Sequence, residues 1–167
     1  MHVGIIADTH DNVSAVERSV DIFEEEGVEV VLHCGDFIAP PVIPFFEGFE
    51  LHGVLGNNDG EVSGLEAAFE ALDGGSELHG RFADLEFDGL SIAVLHGESP
   101  AEVQALAESE TYDVVCSGHF HTREYDEIGR TTVLNPGGHF PTTPEEDRTV
   151  AILDTRSGSV RFRSLVE

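Results

Sequence analysis

Five short apolar runs in this chain each end in a carboxylate, an amide or an imidazole. Residues 2–7 lead into Asp8-Thr9-His10, and residues 29–33 run on through Cys34-Gly35 into Asp36. Residues 51–55 end in Gly56-Asn57-Asn58-Asp59, residues 90–96 in His96-Gly97, and residues 113–117 in Gly118-His119-Phe120-His121. Apolar runs of this length read as buried strands. In open α/β sheets, sites assemble at the carboxyl ends of the strands. A sheet therefore brings motifs distant in sequence to one polar edge.

Between these runs the first half alternates strand and helix. Val13, Val16, Val20 and Phe23 recur at helical spacing, with Asp11, Asn12 or Ser14 available as cap and Gly27 closing the helix. A short helix follows Pro40-Pro41, since proline suits a first helical turn. Residues 64–72 read as another helix. This βαβαβα order predicts a parallel sheet with right-handed crossovers. In the second half, residues 81–87 and 90–96 flank Asp88-Gly89, a strong hairpin signal. Residues 100–110 read as a helix. Two further hairpins fall at 123–128 with 131–135 and at 149–154 with 159–165, so the later strands are expected to be mostly antiparallel. Residues 142–147 read as a flexible loop. The expected fold class is α/β: one domain over residues 1–167, two packed mixed β-sheets with helices outside them.

Charge limits the partners. Asp and Glu number 33 against 8 basic residues, none of them lysine, for a net charge of −25. The carboxylates are spread between apolar runs, which argues against an acidic disordered tail. The composition resembles that of proteins from salt-loving archaea, whose cytosol screens such repulsion. No basic stripe exists to release counterions from a nucleic-acid backbone, so such binding is not expected. No long apolar run spans a membrane, and the amino end enters a strand with no basic leader, so a cytoplasmic location is expected. Cys34 and Cys116 lie in apolar segments outside any CxxC and read as buried thiols.

The polar motifs carry the chemistry. Oxygen and imidazole donors without thiolates suit Mn, Fe, Ni, Zn or Mg rather than a structural zinc. In Asp8-Thr9-His10 and His119-Phe120-His121 the i, i+2 spacing puts both side chains on one side of an extended chain. Singly, each has an ordinary reading: Asp8 as a helix cap, Asn57 and Asn58 as a turn, His96 as a hydrogen-bonded strand-end histidine. The five together point to a metal site.

D-x-H, GD, GN-x-D, HG and GHxH in this order resemble the calcineurin-like metallophosphoesterases, closest to the small YfcE-like phosphodiesterases, a group that also includes a retromer subunit. The resemblance spans residues 1 to about 153 and includes Asn135-Pro136-Gly137. It implies a β-sandwich flanked by helices and two divalent metal ions, Mn²⁺ foremost with Ni²⁺, Fe²⁺, Zn²⁺ or Mg²⁺ as alternatives. Asp8, His10 and His121 would hold the first ion, Asn57, His96 and His119 the second, and Asp36 would bridge them. The implied reaction is hydrolysis of a small phosphate ester, most simply a phosphodiester, by a hydroxide bridging the ions. No side-chain nucleophile is needed, and the G-x-S-x-G elbow is absent.

Two positions depart from the pattern. Asn58 stands where many larger members carry an acid histidine, and amides do not donate protons as acids. Glu98 stands where another histidine is common, and a carboxylate there would repel a phosphate unless turned away. Of the remaining residues, His33 is placed to orient a ligand and His139 to line the pocket. Asp59 would hold the Asn57 turn and Asp11 would cap the helix, while His2, His52 and His79 read as structural or exposed. Two other functions compete: a protein-binding scaffold of retromer-subunit type with a vestigial metal site, and a nuclease, which the acidic surface disfavours. A homo-oligomer is compatible with the sequence.

Overall fold

The computed structural model describes residues 1–166. Two mixed sheets, flanked by helices, pack face to face. The first contains β1 (His2–Ile6), β2 (Val28–His33), β3 (Glu50–Gly53), β4 (Glu77–Leu78), β10 (Thr149–Asp154) and β11 (Val160–Ser164), in the order β11-β10-β1-β2-β3-β4. β1 to β4 are parallel, as the alternation of strand and helix predicts, and β10 joins β1 antiparallel. The second contains β5 (Phe82–Phe87), β6 (Leu90–Leu95), β7 (Val114–Cys116), β8 (Arg123–Ile128) and β9 (Thr131–Pro136), in the order β5-β6-β7-β9-β8.

Successive side chains of each central strand serve opposite layers. Val3 and Ile5 of β1, with Val30 and Leu32 of β2, meet Ile92, Val94, Val114 and Leu134 of the second sheet. Ile6 and Val31 point the other way, into a layer with Val16, Ile22 and Phe23 of α1 (Val13–Glu25) and Leu65 and Phe69 of α2 (Val62–Glu70). The second sheet is covered in turn by α3 (Pro100–Glu108), where Ala107 packs on Ala93, Leu95 and Val115. Both faces of β1 and β2 are thus dry, which is why they read as unbroken apolar runs rather than alternating ones.

Several expectations are revised. α1 is capped by Asn12, whose side chain accepts the Ala15 N–H. Asp11 is not the cap; its carboxylate accepts the Ala39 N–H at 3.1 Å. The short helix after Pro40 is a 3₁₀ helix, Pro40–Phe46. β4 has only two residues, too few for a periodic signal. The hairpins at Asp88-Gly89 and Gly129 are present, but β6, β7 and β9 run parallel to one another, so the second sheet is less antiparallel than expected. Within the loop at residues 142–147, Glu145–Asp147 forms a 3₁₀ turn, and Arg148 donates to the carbonyls of Thr143 and Pro141. Cys34 and Cys116 are buried free thiols, as expected.

Candidate metal centre

The ends of β1 and β2 continue side by side past the regular ladder. Asp8 N–H donates to Gly35 O at 3.0 Å and His10 N–H to Asp36 O at 3.1 Å. Asp8, His10, Asp36, His119 and His121 all have positive φ, between 45° and 71°. That region is uncommon for residues bearing a β-carbon. Here it turns each side chain inward from the end of its strand.

Their neighbours are glycines for a steric reason. A β-carbon at Gly118 would lie 2.6 Å from Asp8 Oδ2, one at Gly35 2.8 Å from His96 Nδ1, and one at Gly138 2.9 Å from the His121 β-carbon. At Gly56 it would collide with Asp36. Each of these four glycines therefore makes room for a side chain of the cluster.

The side chains converge closely. His121 Nε2 lies 3.3 Å from Asp8 Oδ1 and 3.3 Å from His10 Nε2, which is itself 3.4 Å from Asp36 Oδ2. His96 Nε2 is 3.5 Å from Asp36 Oδ2 and 3.0 Å from Asn57 Oδ1, and His119 Nδ1 is 3.1 Å from that same amide oxygen. Two groups have all donor atoms mutually close enough for one ion: Asp8, His10 and His121, and Asp8, Asp36 and His96. With metal–ligand bonds of about 2.1 Å, adjacent donors around an ion lie about 3.0–3.4 Å apart, close to these separations. Asp8 Oδ1 is buried without a hydrogen-bond partner among the described residues. Buried carboxylate oxygens are rarely left so. The donor set therefore fits divalent cations.

Electrostatics agree. Burial opposes ionisation of Asp36, yet bonds from His96 and Asn58 hold its carboxyl well below the usual range. Asp8 is lowered as well: burial again opposes, and His10 and His121 outweigh it. Burial disfavours the His96 imidazolium, but Asp36 and Asp8 raise its pKa to about 9. The nearby Asp8 carboxylate raises the His121 pKa. Such a cluster gathers positive charge, here as protons.

Supporting residues fix these groups. His96 Nδ1 donates to Cys34 O at 2.8 Å, leaving Nε2 directed at the cluster. Asp59 accepts the N–H groups of Asp36, Ile38 and Gly56 at 2.7–2.9 Å, pinning the Asn57 turn as anticipated. Asn58 grips Asp36 twice, through its backbone at 2.9 Å and its amide at 2.8 Å. His33 is fully buried, stacked on Phe37 at 3.7 Å; it bonds Thr9 Oγ1 and accepts the Gly35 N–H. Burial lowers its pKa to about 3, so it is a neutral brace between the Asp8 and Asp36 loops.

Two residues expected near the substrate lie away from the cluster. Glu98 turns outward to Arg81 at 3.3 Å. His139 is buried and lines a different cleft, behind the Asp8 loop. The cleft itself, about 530 Å³, is lined by His10, Asp36, Asn58, His119 and His121, with Ile38 and Phe140 beside them. Sequence reasoning missed the last two. Ile38 has φ 81°, which no propensity predicts for a β-branched residue, and Phe140 reaches the site only through the chain's path after Asn135-Pro136-Gly137.

The calcineurin-like phosphoesterase superfamily domain matches residues 1–158. A phosphodiesterase of Methanocaldococcus jannaschii, MJ0936, is 34% identical over 96% of this chain and 97% of its own. A solved archaeal phosphodiesterase superposes with a TM-score of 0.90 at 34% identity, covering 98% of this chain and 99% of that one. The phosphoesterase YfcE of E. coli, at 18% identity, shares the fold with a TM-score of 0.71, covering 99% of this chain and 100% of that one. Zinc-bound Vps29 of Entamoeba histolytica does so at 0.68 and 18%, covering 98% and 97%. By its match over residues 1–158 and its 34% identity with a full-length relative, this chain belongs to the calcineurin-like phosphoesterase superfamily.

Proposed function

We propose that this chain is a dinuclear metal-dependent phosphodiesterase acting on a small phosphate ester. The observation that carries the reading is the convergence of Asp36 and the three imidazoles of His10, His96 and His121 on the buried Asp8 carboxylate, one oxygen of which lacks a hydrogen-bond partner among the described residues. Asp8, His10 and His121 would hold one ion, Asn57, His96 and His119 the other, with Asp36 shared between them. When bound, such ions supply a water of lowered pKa as nucleophile and offset charge on the phosphoryl oxygens. Mn²⁺ is the ion we propose.

The chain's own part is positioning. Asn58 and Asp59 fix Asp36, the Cys34 carbonyl fixes the His96 tautomer, and Asp8 Oδ2 accepts the His119 N–H at 2.8 Å. Asn58 stands at the cleft without an acidic proton, so good leaving groups are favoured. The relatives named phosphodiesterases support the ester class. One domain over residues 1–167, a cytoplasmic location and a concentrated-salt setting complete the proposal. Among the described residues no helix is long and apolar enough to cross a membrane.

The test is a screen of metal-reconstituted protein in high salt against phosphomonoesters, phosphodiesters and cyclic nucleotides. Turnover of phosphodiesters well above monoesters is expected. Hydrolysis of neither class with any divalent ion would leave the scaffold reading in its place.

A further inference from the structure

A second cleft, of about 210 Å³, lies behind the loop that carries Asp8 and His10. It opens at the amino end of α1, beside Asn12 and Ser14, and is lined by Arg18, His139 and Arg148. Its composition runs against the rest of the molecule. The chain has 33 acidic residues and 8 basic ones, yet the described residues lining this cleft include two arginines and no carboxylate.

His139 supplies an independent sign of a ligand. Its side chain is 1% exposed, and neither ring nitrogen has a hydrogen-bond partner among the described residues. Leaving a buried polar group unpaired costs about 1–3 kcal/mol, so native side chains in this state commonly await a water, an ion or a ligand. Its backbone is well held: the N–H donates to Asp8 O at 3.0 Å, and its carbonyl accepts from Asn12 Nδ2 at 2.9 Å. The orphaned ring is thus a property of the cleft, not of a loose loop.

The other groups are pre-arranged. Arg148 is anchored by Nε to Thr143 O and by one terminal nitrogen to Pro141 O, which fixes the guanidinium plane and leaves its second terminal nitrogen to donate. Among the described residues Arg18 meets only Glu25, at 3.9 Å, a separation too long for a hydrogen bond. The 13-residue α1 adds the partial positive charge of its amino end. The buried His139 ring, with neither nitrogen partnered among the described residues, has an N–H to donate into the cleft.

We propose that this cleft binds a small tetrahedral oxyanion, inorganic phosphate or the phosphoryl end of a monoester, held by Arg18, Arg148, His139 and the amino end of α1. Planar guanidinium donors and a helix amino terminus suit phosphate in particular. This site is separate from the metal centre and stands whether or not the phosphodiesterase reading holds.

The test is calorimetric titration of the full chain with inorganic phosphate, after chelation and at fixed high KCl, so that no bound ion contributes. One saturable site is expected. Arg18→Gln, a change at a half-exposed side chain, should weaken it about tenfold. His139→Phe should abolish it, and His121→Ala should leave it unchanged. A methyl phosphate arm assigns the source: tighter binding of the ester than of phosphate points to the monoester, weaker binding to the free ion. The proposal is overturned if the chelated chain shows no saturable binding, if Arg18→Gln binds as tightly as the parent, or if His121→Ala loses the site.

Discussion

Asp8 and Gly118 are matched surface to surface: Asp8 Oδ2 accepts the His119 N–H at 2.8 Å and lies where a β-carbon on residue 118 would be only 2.6 Å away. The carboxylate of the first motif is therefore seated on the backbone of the last.

A single methyl group at position 118 should consequently act on the metal centre. Gly118→Ala is expected to fold but to bind the activating ion about 10–100-fold more weakly, as losses of ligand support generally do. Gly27→Ala is the control: φ is +64° and nothing lies within 4 Å, so stability should fall by about 1 kcal/mol with activity intact. Calorimetric Mn²⁺ titration and thermal melts separate the two.

Removal of metal should stop the reaction. No side chain in the cleft is placed as a nucleophile, so chelated protein should hydrolyse no phosphodiester, and added Mn²⁺ should restore turnover. Activity that survives exhaustive chelation would refute the mechanism.

Asp36 and His33 should differ in kind. On the proposed assignment Asp36 is shared between the two ions, so Asp36→Ala should abolish binding of the metal pair. His33→Ala removes the brace between Thr9 and Gly35 while leaving every donor in place, so turnover should fall about 10–100-fold. It should also lower the melting temperature, since the stacked ring is fully buried. Equal damage from both substitutions would require a new ligand assignment.

The thiols should be silent in the folded chain. Burial raises the Cys116 pKa to about 12 and holds Cys34 well above its ordinary value. Since the thiolate is the reactive form, a thiol reagent at pH 8 should label neither residue until denaturant is added. Above the ordinary thiol range the unfolded chain ionises while the folded one does not, so these cysteines make stability fall as pH rises toward 12.

Salt should stabilise. With a net charge of −25 the folded state repels itself, and raising ionic strength from 0.1 M to 1 M shortens the screening length from ~10 Å to ~3 Å. Opposing losses are small, because exposed ion pairs such as Arg81–Glu98 contribute about 0–1 kcal/mol each. The melting temperature of metal-saturated protein should rise across a KCl series, most steeply at its low end. A flat or falling series, with and without chelator, would remove the high-salt reading alone.

The site was legible because its donors sit at strand ends. Asp8, Asp36, Asn57, His96 and His119 are punctuation after apolar runs, and a parallel sheet can only gather such punctuation along one edge. Asn12 and Asp11, adjacent and chemically alike, show the limit: which one caps α1 depends on the Ala39 N–H, donated from a loop distant in sequence. Ile38 shows another, since Asp59 holds its N–H and fixes a backbone conformation its side chain disfavours. β7 and β9 lie parallel although β8 and β9 form a hairpin, because pairing across a sheet is decided by layers rather than by neighbours in sequence. The second cleft left no periodic trace at all; Arg18, His139 and Arg148 meet only through the fold.

The position of β1 sets the order in which a ribosome can deliver this protein. Val3 pairs with Leu153 on one side and with Val30 on the other, so half of the strand's hydrogen bonds wait for nearly the whole chain. At synthesis rates of about 5–20 residues per second, that edge stays open for seconds, a template for unwanted pairing that chaperones would need to cover. Asp8 waits as well, because its carbonyl is bonded by His139 and its carboxylate by His119. The Asp8 cluster is therefore assembled only in the finished chain, not in the nascent one.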